Sequence, residues 1–255
     1  MRMWQKVKKG IGSSVWQLIY TLSANEYIEN QHKFLGLLRG IKGGMLLDIG
    51  CGDGAFTIEC AKTIGAQTIC GIEIDQNDAE EAKAKGMNVF ITDASQTFPF
   101  KNECFDVITA NQVLEHVLNT DNMLKECYRV LNNDGVMILS APNLCSLLNR
   151  VMILLGKQPT TLHVSEIQVG NFLKGVETFG HIHAFAPPAL KDLVEYHGFK
   201  VEKMVGSGYY PFLPKIARLL SQLDKRRALC LTVKLRKQGI LAHAVKRWTK
   251  NQSAA

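Results

Sequence analysis

Residues 46–56, Leu-Leu-Asp-Ile-Gly-Cys-Gly-Asp-Gly-Ala-Phe, constrain the fold more than any other stretch of this chain. A short apolar run enters three closely spaced glycines and leaves in a helical pattern, which predicts a buried strand, a tight turn and a helix N-terminus. Backbone N–H groups then face whatever approaches the turn. Two ligand patterns fit. Gly50-x-Gly52-x-x-Ala55 satisfies a loose dinucleotide pattern, with Glu73 placed downstream as a ribose-binding acid. Asp48 followed by Gly50-x-Gly52-x-Gly54 is the other.

From Met45 onward short apolar runs alternate with helical spacing, as in a parallel α/β sheet. Strands are expected at 45–50, 67–74, 87–92 and 104–110, and a fifth at 136–142 opened by the turn Asn133-Asp134-Gly135. Helices fall between them at 56–64, 77–85 and 121–131. A helix over 187–196 tolerates proline in its first turn, and strands at 199–205 and 228–235 flank a basic amphipathic helix at 214–227. The organisation predicted is N-terminal helices over 1–40, a core domain over 41–237 with an inserted region at 143–185, and a basic tail over 238–255.

Formal charge is +7, but it is unevenly spread. Residues 1–10 carry +4, residues 215–255 carry +10, and the body between them carries −7. A basic groove through the main domain is therefore disfavoured, and the ends become candidates for contact with an anionic membrane surface or a nucleic-acid backbone. Seven cysteines without a CxxC pair suggest reduced thiols in a cytoplasmic protein. The N-terminus lacks the apolar run of a secretory signal, and the longest apolar passage, 144–156, is interrupted by Asn149 and Arg150. The expected location is cytoplasmic, or peripheral at a membrane.

With Asp48 and Gly50-x-Gly52-x-Gly54, the chain resembles the class I S-adenosylmethionine-dependent methyltransferases, in the quinone-biosynthesis-like branch. The resemblance covers roughly residues 40–142 and, more loosely, 184–203. It implies a Rossmann-like three-layer α/β/α sandwich around a seven-stranded, mostly parallel sheet with an antiparallel last strand. It also implies S-adenosylmethionine as methyl donor, S-adenosylhomocysteine as product, and an oxygen, carbon or nitrogen acceptor on a small or lipid-linked molecule. Asp48, Gly50, Cys51, Gly52 and Gly54 would form the cofactor turn. Glu73 and Ile74 would meet the ribose, Asp93 and Ala94 the adenine, and Asn111 and Gln112 the methionine part.

In-line transfer from a sulfonium needs positioning and water exclusion above all, with a histidine as general base for a hydroxyl acceptor. His116, His181 and His183 are the candidates, and His163 falls in the same region. Related quinone-biosynthesis enzymes pair an E-x-x-E-H pattern with a divalent metal; this chain has Gln112-x-x-Glu115-His116, so no metal is expected. RNA or protein methylation is the alternative activity, and a silent cofactor-binding partner the alternative class.

Overall fold

A computed structural model describes residues 13–172, 178 and 180–238, with side chains from residue 25 on. The charged segment 1–10 and nearly all of the expected basic tail lie outside the described residues. In chain order the elements are α1 (Ser13–Leu38), β1 (Met45–Ile49), α2 (Ala55–Ile64), β2 (Thr68–Glu73), α3 (Gln76–Ala84), β3 (Asn88–Ile91) and β4 (Phe105–Asn111). A 3-10 turn at Leu114–His116 leads to α4 (Thr120–Val130), β5 (Leu131–Pro142), α5 (Leu147–Leu154), α6 (Pro187–Tyr196), β6 (Phe199–Ser207), α7 (Pro214–Leu223) and β7 (Cys230–Lys237). The sheet order is β3-β2-β1-β4-β5-β7-β6. β7 runs antiparallel to both β5 and β6, and the pairings among β1 to β5 are parallel. The expected seven-stranded Rossmann-like sandwich is what the chain forms.

Side-chain alternation along the strands builds the layers. Leu46, Val107, Val136 and Ile138 face α1 and α2, where they pack with Phe34, Leu38, Cys60 and Ile64. Their neighbours Leu47, Ile49, Ile108, Met137 and Leu139 face the other way, onto Met123, Leu124 and Cys127 of α4 and Leu190 and Val194 of α6. A strand buried on both faces carries no polar alternation, which is why β1, β4 and β5 read as plain apolar runs.

Two boundaries differ from the sequence reading. Asn133-Asp134-Gly135 does not open β5 but lies within it, as a bulge between the pairs Phe105–Leu131 and Val107–Val136. Asp106 holds the irregularity, accepting from Asn132 Nδ2 at 2.8 Å and from Gly44 N at 2.7 Å. The basic helix expected over 214–227 ends at Leu223, because Asp224 leaves helical geometry and its carboxylate accepts from Arg226 N at the start of a separate 3-10 turn. The inserted region leaves and rejoins the core at one place: Asn143 bridges Phe185, and Leu144 N donates to Phe185 O.

Candidate functional site

β1 pairs with β2 on one side and β4 on the other, so the chain leaves the sheet in opposite directions at their carboxyl ends. In open α/β sheets that divergence forms the ligand crevice. Gly50, Gly52 and Gly54 all take left-handed backbone, at φ 67°, 54° and 77°. The turn is tied to β2 by Gly50 N and Cys51 N, which donate to Ile72 O at 2.7 and 3.2 Å. Glu73, buried at the end of β2, accepts from Gly52 N at 2.7 Å through Oε2, and from Ile74 N and Asp75 N at 2.8 and 2.9 Å through Oε1.

Above the turn lies a cavity of about 270 Å³. Six of its lining residues were named from the sequence as cofactor contacts: Gly50, Glu73, Ile74, Asp93, Ala94 and Gln112. Ile74 is exposed although apolar, and Asp93 is set in the wall by accepting from Ser95 N at 2.7 Å. His116, the catalytic candidate, also lines the cavity; Ile72, Thr92, Val113 and Val117 line it too and were not named from the sequence. Val113 follows Gln112, a non-glycine residue at φ 58°, a torsion that only the structure reveals. A larger polar hollow of about 730 Å³, beside Asp106 and Asn132–Gly135, sits at the amino end of β5.

Asp48 and Cys51 occupy other positions. Asp48 is 5% exposed and accepts from Thr109 Oγ1 at 2.7 Å and from Thr57 Oγ1, so its carboxylate braces the turn between α2 and β4 instead of lining the cavity. The Cys51 side chain packs with Ala79, Ala82 and Met87 under α3, and burial pushes its thiol pKa up.

Burial also pushes the Asp48 carboxyl up to about 6, against the hydrogen bonds from Thr57 and Thr109. Its folded pKa therefore exceeds the unfolded value near 3.9, so the native state holds the extra proton between about pH 4 and 6 and loses stability as pH rises through that window. Asp48→Asn has no such proton to lose. Urea unfolding of the two proteins should show the stability difference shifting in favour of the variant by about 2–3 kcal/mol from pH 4 to pH 6. Parallel curves would refute the assignment.

Asn111 does not line the cavity. It is tied to the N-terminal helix instead: Asn30 Nδ2 donates to Asn111 Oδ1 at 2.8 Å. Asn30 Oδ1 accepts from Ser140 Oγ, Ser207 Oγ and Thr232 Oγ1 at 3.1, 3.3 and 3.1 Å. Gln112 Nε2 donates to Ser140 Oγ at 2.8 Å, and Gln112 Oε1 lies 3.8 Å from the Cys230 thiol that donates to it. One buried asparagine of α1 thus links β5, β6 and β7 to the last residue of β4. Nothing in the sequence around Asn30 marks it.

The candidate histidines divide. His181 stacks on His163 at 4.4 Å and 17°, and meets His116 edge-on at 4.9 Å. His183 packs near Phe185, and its Nε2 is buried without a hydrogen-bond partner. The backbone joins the two regions, because Ile182 N and His183 N both donate to Glu115 O, at 2.9 and 3.1 Å. Burial lowers the pKa of His116 and His163, and brings that of His181 down to about 4 with help from its neighbouring histidines. These three rings are therefore neutral near pH 7. A second cavity, of about 550 Å³, opens beside His163 and His181.

Residues 22–204 match the profile of a family described as a methyltransferase domain. Mitochondrial ubiquinone biosynthesis O-methyltransferase of Rattus norvegicus is 28% identical over 179 residues, covering 68% of this chain and 49% of that protein. Demethylmenaquinone methyltransferase of Lactobacillus johnsonii is 32% identical over 111 residues, covering 40% and 46%. The chain spans about half the length of the curated relatives it matches. Among solved structures, an S-adenosylmethionine-dependent methyltransferase from Thermotoga maritima superposes with a TM-score of 0.61 at 22% identity, over 88% of this chain and 93% of that one. One from Listeria monocytogenes gives 0.59 at 17% identity, over 84% and 100%. At such identities the likeness speaks for the fold.

Proposed function

Because the chain belongs to the methyltransferase-domain family, we propose that it moves a methyl group from S-adenosylmethionine to a hydroxyl of a small or lipid-linked acceptor. The observation that carries this reading is the convergence of the glycine turn, Glu73, Asp93, Ala94 and Gln112 on one cavity at the diverging ends of β1 and β4. When bound, the donor would supply an electrophilic sulfonium methyl for in-line transfer to the acceptor oxygen, with S-adenosylhomocysteine as the product.

The protein's part is to hold and to exclude water. Glu73 is fixed by three backbone N–H groups, and a carboxylate has about four lone-pair sites, so capacity remains for a ribose hydroxyl. Asp93, in the cavity wall, would accept from the adenine amine. His116 stands in the wall with Nδ1 3.3 Å from Gly180 O, which puts its ring proton on Nδ1 and leaves the Nε2 lone pair for the acceptor's hydroxyl.

The relatives named for ubiquinone and menaquinone biosynthesis favour an apolar, lipid-linked acceptor, and the surface agrees. Leu154 of α5 and Leu223 of α7 are 85% and 75% exposed, and Val151, Leu155, Leu213, Ile216 and Leu219 are exposed with them. Leu147 and Leu220, one from each helix, pack on the same small cluster, so the apolar faces are neighbours. Exposed Arg150, Lys157, Lys215, Arg218 and Arg226 lie in or just after the same two helices. Apolar side chains beside cations suit an anionic bilayer surface; no helix of the described residues is long and apolar enough to cross one. The protein should co-sediment with phosphatidylglycerol-containing vesicles at low salt, and a Leu219→Asp, Leu223→Asp variant should lose about tenfold or more of that affinity. Failure to bind vesicles, or equal binding by the variant, would remove the docking surface.

The activity is tested by calorimetry with S-adenosylmethionine and its demethylated product, and by turnover of a labelled donor with cell extract fractionated into lipid, RNA and protein. Label in the lipid fraction is expected. Label in RNA or protein would reassign the acceptor, and binding without any transfer would make the chain a silent partner.

A further inference from the structure

We infer that His163 is an acid-sensitive latch, which keeps segment 180–183 of the inserted region seated on the 3-10 turn at neutral pH and releases it on acidification. Three consecutive backbone N–H groups do the seating. Ile182 N and His183 N donate to Glu115 O at 2.9 and 3.1 Å, and His181 N donates to Nδ1 of His163 at 3.0 Å. Glu115 O is a peptide carbonyl and accepts at any pH. Nδ1 of His163 is an imidazole nitrogen, which accepts only while it carries no proton.

The surroundings fix both the tautomer and the place of the ring. With Nδ1 accepting, the ring proton of His163 sits on Nε2, 3.1 Å from Thr160 O. Asn149 of α5, fully buried, anchors the chain just before His163: its Oδ1 accepts from Thr160 N at 3.0 Å, and its Nδ2 donates to Thr161 Oγ1 at 2.7 Å. His163 is therefore the anchored half of the contact, and segment 180–183 the other half. A proton added at Nδ1 replaces an N–H···N bond by two N–H groups facing each other. The resulting imidazolium also stands against the His181 ring, stacked on it at 4.4 Å.

The charged and titratable neighbours do not hold that positive charge in place. Among the described residues lining the second cavity, the ionisable ones are His163, His181 and Glu166, and Glu166 is exposed, where water screens it. The 3-10 turn contributes His116, which meets His181 edge-on at 4.9 Å, and Glu115, whose carboxyl burial pushes up to about 8, so that it carries no charge in the acid range. Burial holds the His163 pKa below the ordinary imidazole value, against the hydrogen bond to Thr160 O. The sign follows. The released ring titrates near about 6.5 and takes up a proton before the seated ring does, so seating is at full strength above that pH and weakens as pH falls.

Release changes both cavities. Gly180, His181 and Ile182 are a wall of the second cavity, which opens when they leave. Gly180 O also faces His116 Nδ1 at 3.3 Å, and His116 lines the cavity above the glycine turn, so that ring loses the carbonyl that orients it. The consequence for methyl transfer rests on the proposed function; the latch itself does not.

Amide hydrogen exchange of the full chain, followed by NMR without any donor or acceptor, tests the latch. Corrected for the intrinsic rate, protection of the His181, Ile182 and His183 amides should be constant above about pH 7. It should then fall by up to about tenfold per pH unit, the slope for one proton taken up. Central amides of β1 and β4 should keep their protection, which separates local release from unfolding. The midpoint of the loss should coincide with the titration of the His163 ring, read from its own proton signals. His163→Asn offers an amide oxygen near the place of Nδ1 and has no proton to gain, so its three amides should stay protected down to about pH 5. Wild-type protection that does not change with pH, a midpoint away from the His163 titration, or an equal loss in His163→Asn would overturn the proposal. If His163→Asn leaves the segment unseated even at neutral pH, the coincidence of midpoints in the wild type decides.

Discussion

Replacing Gly50 by alanine is expected to weaken S-adenosylmethionine binding at least about a hundredfold, some 3 kcal/mol, while the protein stays folded. Two effects combine. At φ 67° an L-residue with a Cβ costs about 1–2 kcal/mol. The added Cβ would also stand 2.5 Å from Val113 Cγ2 and 3.1 Å from Cγ1. Val113 lines the cavity above the turn, so the clash must be relieved where the donor is proposed to sit. Gly65→Ala is the control: Gly65 has a similar φ of 72° at the far end of α2, and a Cβ there meets nothing within 4 Å. It should lower stability by the backbone cost alone and leave donor affinity unchanged. Equal donor affinity in Gly50→Ala and wild type, by calorimetry, would show that the ligand does not bind over this turn.

Asn30→Leu is expected to destabilise the protein by about 3–4 kcal/mol, read as a lower urea midpoint at unchanged slope. Leucine matches the volume but leaves Asn111 Oδ1 and the hydroxyls of Ser140, Ser207 and Thr232 without this partner. These three hydroxyl residues are 0–2% exposed, so water cannot replace it, and each unsatisfied buried group costs about 1–3 kcal/mol. Because Ser140 also receives the Gln112 amide at the cavity wall, donor affinity should fall as well, by roughly tenfold. A loss below about 1 kcal/mol would mean that the hydroxyls find other acceptors and the network is incidental.

Much of the site was legible because local sequence dictates local backbone. Three glycines in five residues can form only a turn of unusual torsion, and an acid at the end of the next strand lies beside that turn through parallel pairing. Glu73 follows this rule, with Asp48 registering opposite Gly71 and Ile49 opposite Ile72. Asp93 at the next strand end follows it too. Asp48 was legible as part of the motif, but its place beneath the turn depends on Thr57 and Thr109, which only α2 packing against β4 brings together. The turn residues Asn133-Asp134-Gly135 misled because β5 already pairs with β4 at Leu131, so they fall inside the strand as a bulge, beside Asn132, which Asp106 of β4 holds.

What the sequence alone determined, then, is a seven-stranded α/β sandwich and the glycine turn at its centre. Hydrophobic alternation and glycine torsion act over a few residues and need no distant partner. Tertiary structure alone decided which distant polar groups meet. Asn30 reaches Asn111 across the sheet edge, and His181 returns from the inserted region to stand beside Glu115 and His116. Such meetings depend on where the chain returns after a long excursion. A buried polar group is held by its partners in space, and those partners carry no periodicity along the chain that would announce them.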